Sequence, residues 1–455
     1  MLPPFFSGNA FVRSLLFLSV LCAGLSSCAV MSGSGATIHP SQVSSLVVSG
    51  RAEMAARLME EPRSHYGEGN YLLYYLDRGM VEFYAGKYQE SVRSFEKAKQ
   101  RFRELYTRSL SREALSWAVN DYAVPYRGAD HEYVLINFFQ ALNFLAMGDL
   151  NEALVEARDL ASKYQVVADL SRKFKRAHFE DNGFVRFFMG LLFEAGGTLE
   201  DKAEALLWYK EAVALYRAYD PEASLPTILK ENMAELAARF GDAEALSAVR
   251  GWGPVAAIPE GKAQVIVVHL LGHAPIKTAS VIPVPIEKEF ITKITFPLFA
   301  RRYFETASSR VTAAGSLGTR VVPTEDGLDI EDLAIRDLES RKAAVLAKAV
   351  LRPALKYFIE RKQKENIEKN DGPWAAEAFG LLSNLYNLFS EQADLRSWQA
   401  LPARVRIARV FVDPGPVDLR LETASADGLR LEEVDLGRLD LRSGEVRFVM
   451  TRSIR

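Results

Sequence analysis

Ser94-Phe95-Glu96-Lys97 has the Ser-x-x-Lys spacing that lets a lysine activate a serine nucleophile. Phe95, however, falls in an apolar helical stripe, so the spacing reads as a packed helix. His269 and His273 stand four apart. On a helix they would share one face, as a metal pair needs. The segment instead reads as a strand followed by a turn, where the two rings need not converge, and no third ligand is evident. Carboxylate pairs occur at Glu331-Asp332 and Glu432-Glu433, with Asp435 close by. Paired acids do acid–base work only where a cleft perturbs them, and most such runs are solvated faces. The sequence has no Gly-x-x-x-x-Gly-Lys loop, Gly-x-Ser-x-Gly elbow or His-Glu-x-x-His helix. We therefore expect no catalytic set, no metal and no cofactor.

Cys28 is the remaining reactive group. Phe11 to Leu25 is almost wholly apolar and contains one cation, Arg13. Its core from Leu15 is too short to span a bilayer, which takes about 20 apolar residues. It has the length of a secretory leader, with small residues at the cut site. Leu25-Ser26-Ser27-Cys28 resembles a bacterial lipoprotein signal, which implies removal of residues 1–27 and acylation of Cys28. An ordinary cleaved leader or a buried helix are the alternatives. Cys22 would leave with the leader, so one cysteine remains and no disulfide can form. Ala29 follows the cysteine in place of Asp, which by the same resemblance implies the outer membrane. Ala29 to Gln42, rich in Ser and Gly, reads as a flexible tether from residue 28 to 42.

The 455 residues are 49% hydrophobic and 25% charged, a globular composition with room for two or more domains. The formal charge of −2 implies no nucleic-acid partner.

Between Tyr71 and Arg250 a small residue recurs seven positions before a glycine. The pairs are Gly79 and Gly86, Ala141 and Gly148, Gly190 and Gly197, and more weakly Ala234 and Gly241. Small and aromatic residues follow at helical spacing: Ser91, Phe95 and Ala98, then Ala153 and Ala157, then Ala205, Tyr209 and Ala212. Two antiparallel helices need this pattern. The small residue allows close approach and the glycine makes the turn. The pattern resembles the tetratricopeptide repeat, with Ser91 in place of the usual alanine and no signature tryptophan. A generic helical bundle is the other reading. Between two of the units lies a polar, aromatic stretch holding Asn120, Asp121, Tyr126, Arg127 and Glu132. These residues form a candidate partner-binding surface. The alternative is that the acids and amides turn the chain while the aromatics pack.

After Gly251-Trp252-Gly253-Pro254 the pattern changes. Ala263 to Leu271 reads as a buried strand, and Val281 to Ile286 is extended because each proline disfavours helix before it. Ile291 to Phe299 and Arg310 to Val322 are further strand candidates. Residues 328–392 read as a helical insertion with a kink or break at Pro353. Lys342, Lys348, Arg352, Lys356, Arg361, Lys362 and Lys364 give that stretch a basic bias. It suits either solvent or anionic lipid or glycan phosphate. Arg404 to Val412, Val417 to Leu421, Leu429 to Val434 and Glu445 to Thr451 alternate as strands do. The expected fold is mainly α with an α+β part: tetratricopeptide-like helical repeats over 43–250, then a mixed α+β domain over 251–455.

Taken together, Asn120-Asp121, Tyr126, Gly128, Glu132, Ala141-Leu142-Asn143 and Glu156-Ala157-Arg158 resemble a family of uncharacterised bacterial lipoproteins with tetratricopeptide-like repeats. Gly272 to Lys277, Phe296-Pro297 and Arg396-Ser397-Trp398-Gln399-Ala400-Leu401-Pro402 resemble its C-terminal signatures. The resemblance implies a lipid-anchored accessory protein facing the periplasm. It would be a scaffold for an unknown envelope protein or peptide. An envelope-polymer enzyme with a cleft between the domains, or a structural component of an envelope assembly, are the rival functions.

Overall fold

The computed structural model describes residues 40–60, 66–112, 124–174, 181–222, 224–287, 290–390 and 392–455. The leader, Cys28 and most of the tether lie outside the described residues, as do Asn120 and Asp121.

Two short helices, α1 (Pro40–Val48) and α2 (Ala52–Leu58), precede the repeats. Then come antiparallel pairs: α3 (Tyr71–Tyr84) with α4 (Tyr88–Arg112), α5 (Asp130–Ala146) with α6 (Leu150–Phe174), and α7 (Gly183–Gly196) with α8 (Leu199–Tyr219). A shorter pair closes the array, α9 (Thr227–Phe240) with α10 (Ala243–Arg250).

The repeating residues do the work that their spacing requires. Gly86, Gly148, Gly197 and Gly241 all sit at positive φ, from 64° to 84°, and turn the chain between partners. A Cβ on Gly79 would come within 2.5 Å of the Phe95 ring, and one on Gly190 within 2.5 Å of the Tyr209 ring. Each glycine is thus the seat for the aromatic of its partner helix. Ser91 is fully buried, and its hydroxyl has two partners. It donates to the Gly79 carbonyl at 2.7 Å and accepts from the Asn143 amide at 2.8 Å. A serine in place of alanine therefore ties three helices together. In the last pair Ala234 is only partly buried, which makes that unit the weakest match. Gly190→Ala should lower the urea unfolding midpoint by the equivalent of about 1–3 kcal/mol, because the methyl must displace a buried ring. An unchanged midpoint would show that α7 and α8 are not in this contact.

Among the described residues the strands of the C-terminal half form two four-stranded sheets and one two-stranded sheet. In the first, β10 (Val446–Ser453) pairs in parallel with β1 (Ala263–Leu271). Strand β1 also pairs antiparallel with β7 (Arg404–Val412), and β7 with β6 (Glu325–Asp329). The second is antiparallel, in the order β5 (Gly318–Pro323), β4 (Ser308–Gly315), β8 (Gly415–Ala424), β9 (Arg430–Leu441). Arg310 to Val322, expected as one strand, is the β4–β5 hairpin. Strand β1 is buried on both faces, which suits a run that is apolar but for Gln264 and His269. Val265 and Val267 pack on Leu419 and Leu421 of the second sheet, while Ile266, Val268 and Leu270 join the core of the helical array. The order of layers is helices, sheet, sheet.

A third unit stands on the same half. Strands β2 (Ile276–Glu287) and β3 (Phe290–Ala300) form a long hairpin. Helix α11 (Ile330–Ser340) leads into α12 (Lys342–Asp371) and α13 (Pro373–Ser390), and the last two pack on β3. Helix α12 runs unbroken through Pro353, where the sequence predicted a kink or break. The protein is mainly α with an α+β part, its array tetratricopeptide-like.

Candidate recognition site

Helices α5 and α7 are buried nearly all round. The second helices of the pairs cover one side. The other side, which in an open array would face solvent, is covered by the chain's own C-terminal half. Phe448 of β10 packs edge-on to Phe188 at 6.1 Å. Arg409 of β7 donates to Glu231 and Asn232 of α9. His131 of α5 meets Asp337 of α11 at 2.8 Å.

The centre of this interface is an irregular segment, residues 392–403, running between α13 and β7. A buried loop must find partners for its peptide groups. Here the partners come from elements far away in sequence. Tyr84 donates to the Ala400 carbonyl at 3.0 Å, Arg302 to that of Gln399 at 2.7 Å, and Lys277 to that of Arg396 at 2.9 Å. The Trp398 amide donates to Glu132 at 2.8 Å. The Ala274 amide donates to the Leu401 carbonyl at 2.8 Å, and the Ala403 amide to that of Leu271 at 2.8 Å.

Side chains fix the register. The Trp398 indole is 2% exposed and stands edge-on to Phe95 at 5.8 Å and Phe139 at 6.0 Å. The Arg396 guanidinium pairs with Asp394 at 2.8 Å and donates to Asn70 at 3.0 Å and to the Val124 carbonyl at 3.1 Å. It also lies 5.5 Å from the Tyr126 ring centre. An irregular stretch of the chain is therefore held against the repeats through Tyr84, Glu132 and two side-chain anchors, while the C-terminal half satisfies the rest of its backbone.

Glu132 is the pivot. It is buried and accepts from the Ala129 amide at 2.9 Å, from the Tyr126 hydroxyl at 2.6 Å and from Trp398. The first of these closes the N-terminus of α5. Burial and the Glu132 carboxylate together push the Tyr126 hydroxyl far up. Asp77, below Ala400, is raised to about 7 by burial, against the donors Tyr66 and Ala400 that favour its charge. Tyr126 and Glu132, read from sequence as partner contacts, thus engage the chain itself. Arg127 is partly exposed beside them. The motifs Gly272 to Lys277, Tyr126 to Glu132 and Arg396 to Pro402, scattered in sequence, meet here.

The residues that resembled chemistry have structural partners. Ser94 donates to Glu82 at 2.6 Å, while Lys97 reaches the Tyr75 ring at 5.7 Å, so they do not face each other. His269 meets Ser309 at 3.0 Å and His273 meets Arg452 at 3.1 Å. The Ser309–His269 contact was not apparent from sequence, because 40 residues separate the two. Both side chains are buried in the sheet layer. Among the described residues no group of His, Cys, Asp and Glu has the arrangement of a metal site. A second buried network joins Lys99 to Glu156 at 2.6 Å and Asn137 to Glu156 at 2.8 Å, with Lys163 donating to Asn137. Burial pulls the Lys163 ammonium down to about 8.

No protein-family model matches the chain, and no curated protein matches it. Among solved structures, it is similar to a putative kinesin light chain from Podosopora anserina with nearly identical TPR-like repeats. The match covers 46% of this chain and 91% of that one, at 16% identity and a TM-score of 0.28. A single-residue variant of the same protein matches over the same shares, at 16% identity and a TM-score of 0.27. The repeat assignment here rests on the Gly79–Phe95 and Gly190–Tyr209 contacts rather than on that likeness.

Proposed function

We propose that this protein is a lipid-anchored accessory scaffold of a bacterial cell envelope, held at the outer membrane and facing the periplasm, that recognises a protein or peptide partner. One observation supports the recognition reading: residues 394–402, an irregular segment, lie between the repeats and the C-terminal half, with Glu132 and Tyr84 of the repeats and Lys277 and Arg302 of the C-terminal half satisfying its backbone. The fold is thus built for peptide recognition, and its own chain fills the inner groove. A partner in trans meets the outward second helices, where Val155 of α6 and Leu207 of α8 are 49% and 55% exposed. The lipid anchor is supported by Leu25-Ser26-Ser27-Cys28. Acyl chains there contribute about 0.8 kcal/mol per buried CH₂, so several chains hold firmly.

Two measurements test this reading. Cys28→Ser should make the protein extractable from membranes by high salt, which screens surface charge contacts but not acyl anchoring, and membrane association that resists salt equally in both proteins removes the anchor. A photo-crosslinking residue at position 155 or 207 should capture another polypeptide in cells. Absence of adducts at both removes the outward helices as the partner surface.

A further inference from the structure

We propose that the arm formed by α12, α13 and the β2–β3 hairpin docks on the surface of an anionic phospholipid bilayer. Three observations converge on this arm. First, it exposes large apolar side chains that a solvated arm would not need: Phe358 is 66% exposed, Leu351 54%, Trp374 81% and Leu381 65%. Second, these are ordered by helix geometry. Phe358, Lys362 and Lys369 follow Leu351 by seven, eleven and eighteen residues, all close to whole turns, so apolar and cationic groups share one face of α12. Trp374 and Leu381 are likewise seven apart on α13. Third, the arm is basic in a chain that is not. Helix α12 carries eight Lys and Arg against four Asp and Glu, whereas the whole chain has a formal charge of −2.

The Lys364 ammonium lies against Gly380, where an added Cβ would be 3.3 Å from it. The two helices pack on each other along this stretch. Lys362 and Lys369 are exposed on the same face of α12 as Leu351 and Phe358. Interleaved aromatic, aliphatic and lysine side chains are what a headgroup–acyl boundary accepts. The rings sit at headgroup level and the ammonium groups reach the phosphates. Among the described residues no helix is long and apolar enough to cross a membrane, so the contact is with the surface. The charge favours an anionic lipid over a protein surface of mixed charge.

Acylation of Cys28 plays no part in this contact, and the test excludes it. All described elements lie within residues 40–455. The chain from residue 28 onward, carrying Cys28→Ser, keeps all of them and no acyl group. It should co-sediment with vesicles of phosphatidylcholine and phosphatidylglycerol, and not with phosphatidylcholine alone. Lys362→Gln and Lys369→Gln should each weaken binding about fivefold. Phe358→Ser with Trp374→Ser should abolish it while leaving the far-UV circular dichroism unchanged, because both residues are exposed. Equal binding to neutral vesicles, no binding to anionic ones, or full binding by the double variant would each overturn the proposal.

Discussion

Trp398→Ala should cost the protein about 3–5 kcal/mol, the range for removing a fully buried large aromatic. The indole fills the space between Phe95 of α4 and Phe139 of α5. Its removal leaves a cavity where the array meets the rest of the chain. Ring contacts of this kind contribute about 0.5–1.5 kcal/mol beyond area, so Trp398→Phe should recover part of the loss. The effect should spread, because the same segment carries the Arg396 anchor and the amide bound by Glu132. Denaturant unfolding followed by near-UV and far-UV circular dichroism checks this. A loss below about 1 kcal/mol, well under the range for a buried ring, would mean that residues 394–402 are not held by the repeats. For the same reason, charge reversal at Glu132 should destabilise the fold, and it cannot serve as a clean probe of partner binding.

Two buried histidines should make the protein lose stability in acid relative to a variant that lacks them. Burial, with Arg406 nearby, pulls His269 down to about 3, and burial with Arg452 and Arg302 pulls His273 down to about 3. Unfolded, each titrates near 6.5. Between about 6.5 and 3 the unfolded state binds more protons, so stability is fully present above 6.5 and falls as pH falls. At 1.36 kcal/mol per unit the upper bound is about 5 kcal/mol for each. Asp77 acts in the opposite sense. Its folded pKa of about 7 lies above the unfolded value of 3.8, so its contribution is present below 3.8 and lost as pH rises towards 7. Burial raises Glu156, Glu194 and Glu331 as well, and these act in Asp77's sense, so the histidines supply the part of the pH dependence that falls on acidification from pH 6.5 to 4.5. His269→Asn with His273→Asn should flatten that fall, and Asp77→Asn should steepen it. Urea midpoints across pH 4.5 to 8 give the answer, and a double histidine variant whose pH profile parallels the parent's would refute the account.

Much of the array was legible because its rules are local. A glycine that must turn the chain and a small residue that must seat a ring leave marks at fixed spacing. Gly79, Gly86, Gly190 and Gly197 carried both marks. The strands β1 and β7 were legible from their apolar runs. What spacing does not encode is which face is covered, and by what. Helical periodicity treats α5 as one amphipathic helix among others, although Ile136, Phe138 and Phe139 point to different sides and all are buried. An all-round apolar helix signals burial on two faces. That signal could have identified a covered inner face, with Trp398 in an irregular segment as its occupant. The second sheet was missed for a related reason. Alternating strands fix an inward face but not the number of layers that share it.

The bond from Tyr84 to Ala400 spans 316 residues, and that from Arg396 to Asn70 spans 326. Strand β10, at the end of the chain, supplies Phe448 to the same core. The repeats can fold early, since their contacts are local and close quickly. Their aromatic inner face has no cover until residues 394–453 have emerged. A chain made from its N-terminus therefore carries an incomplete, sticky intermediate while residues 251–453 are made. Removal of β10 would uncover Phe188 of α7 and one edge of β1.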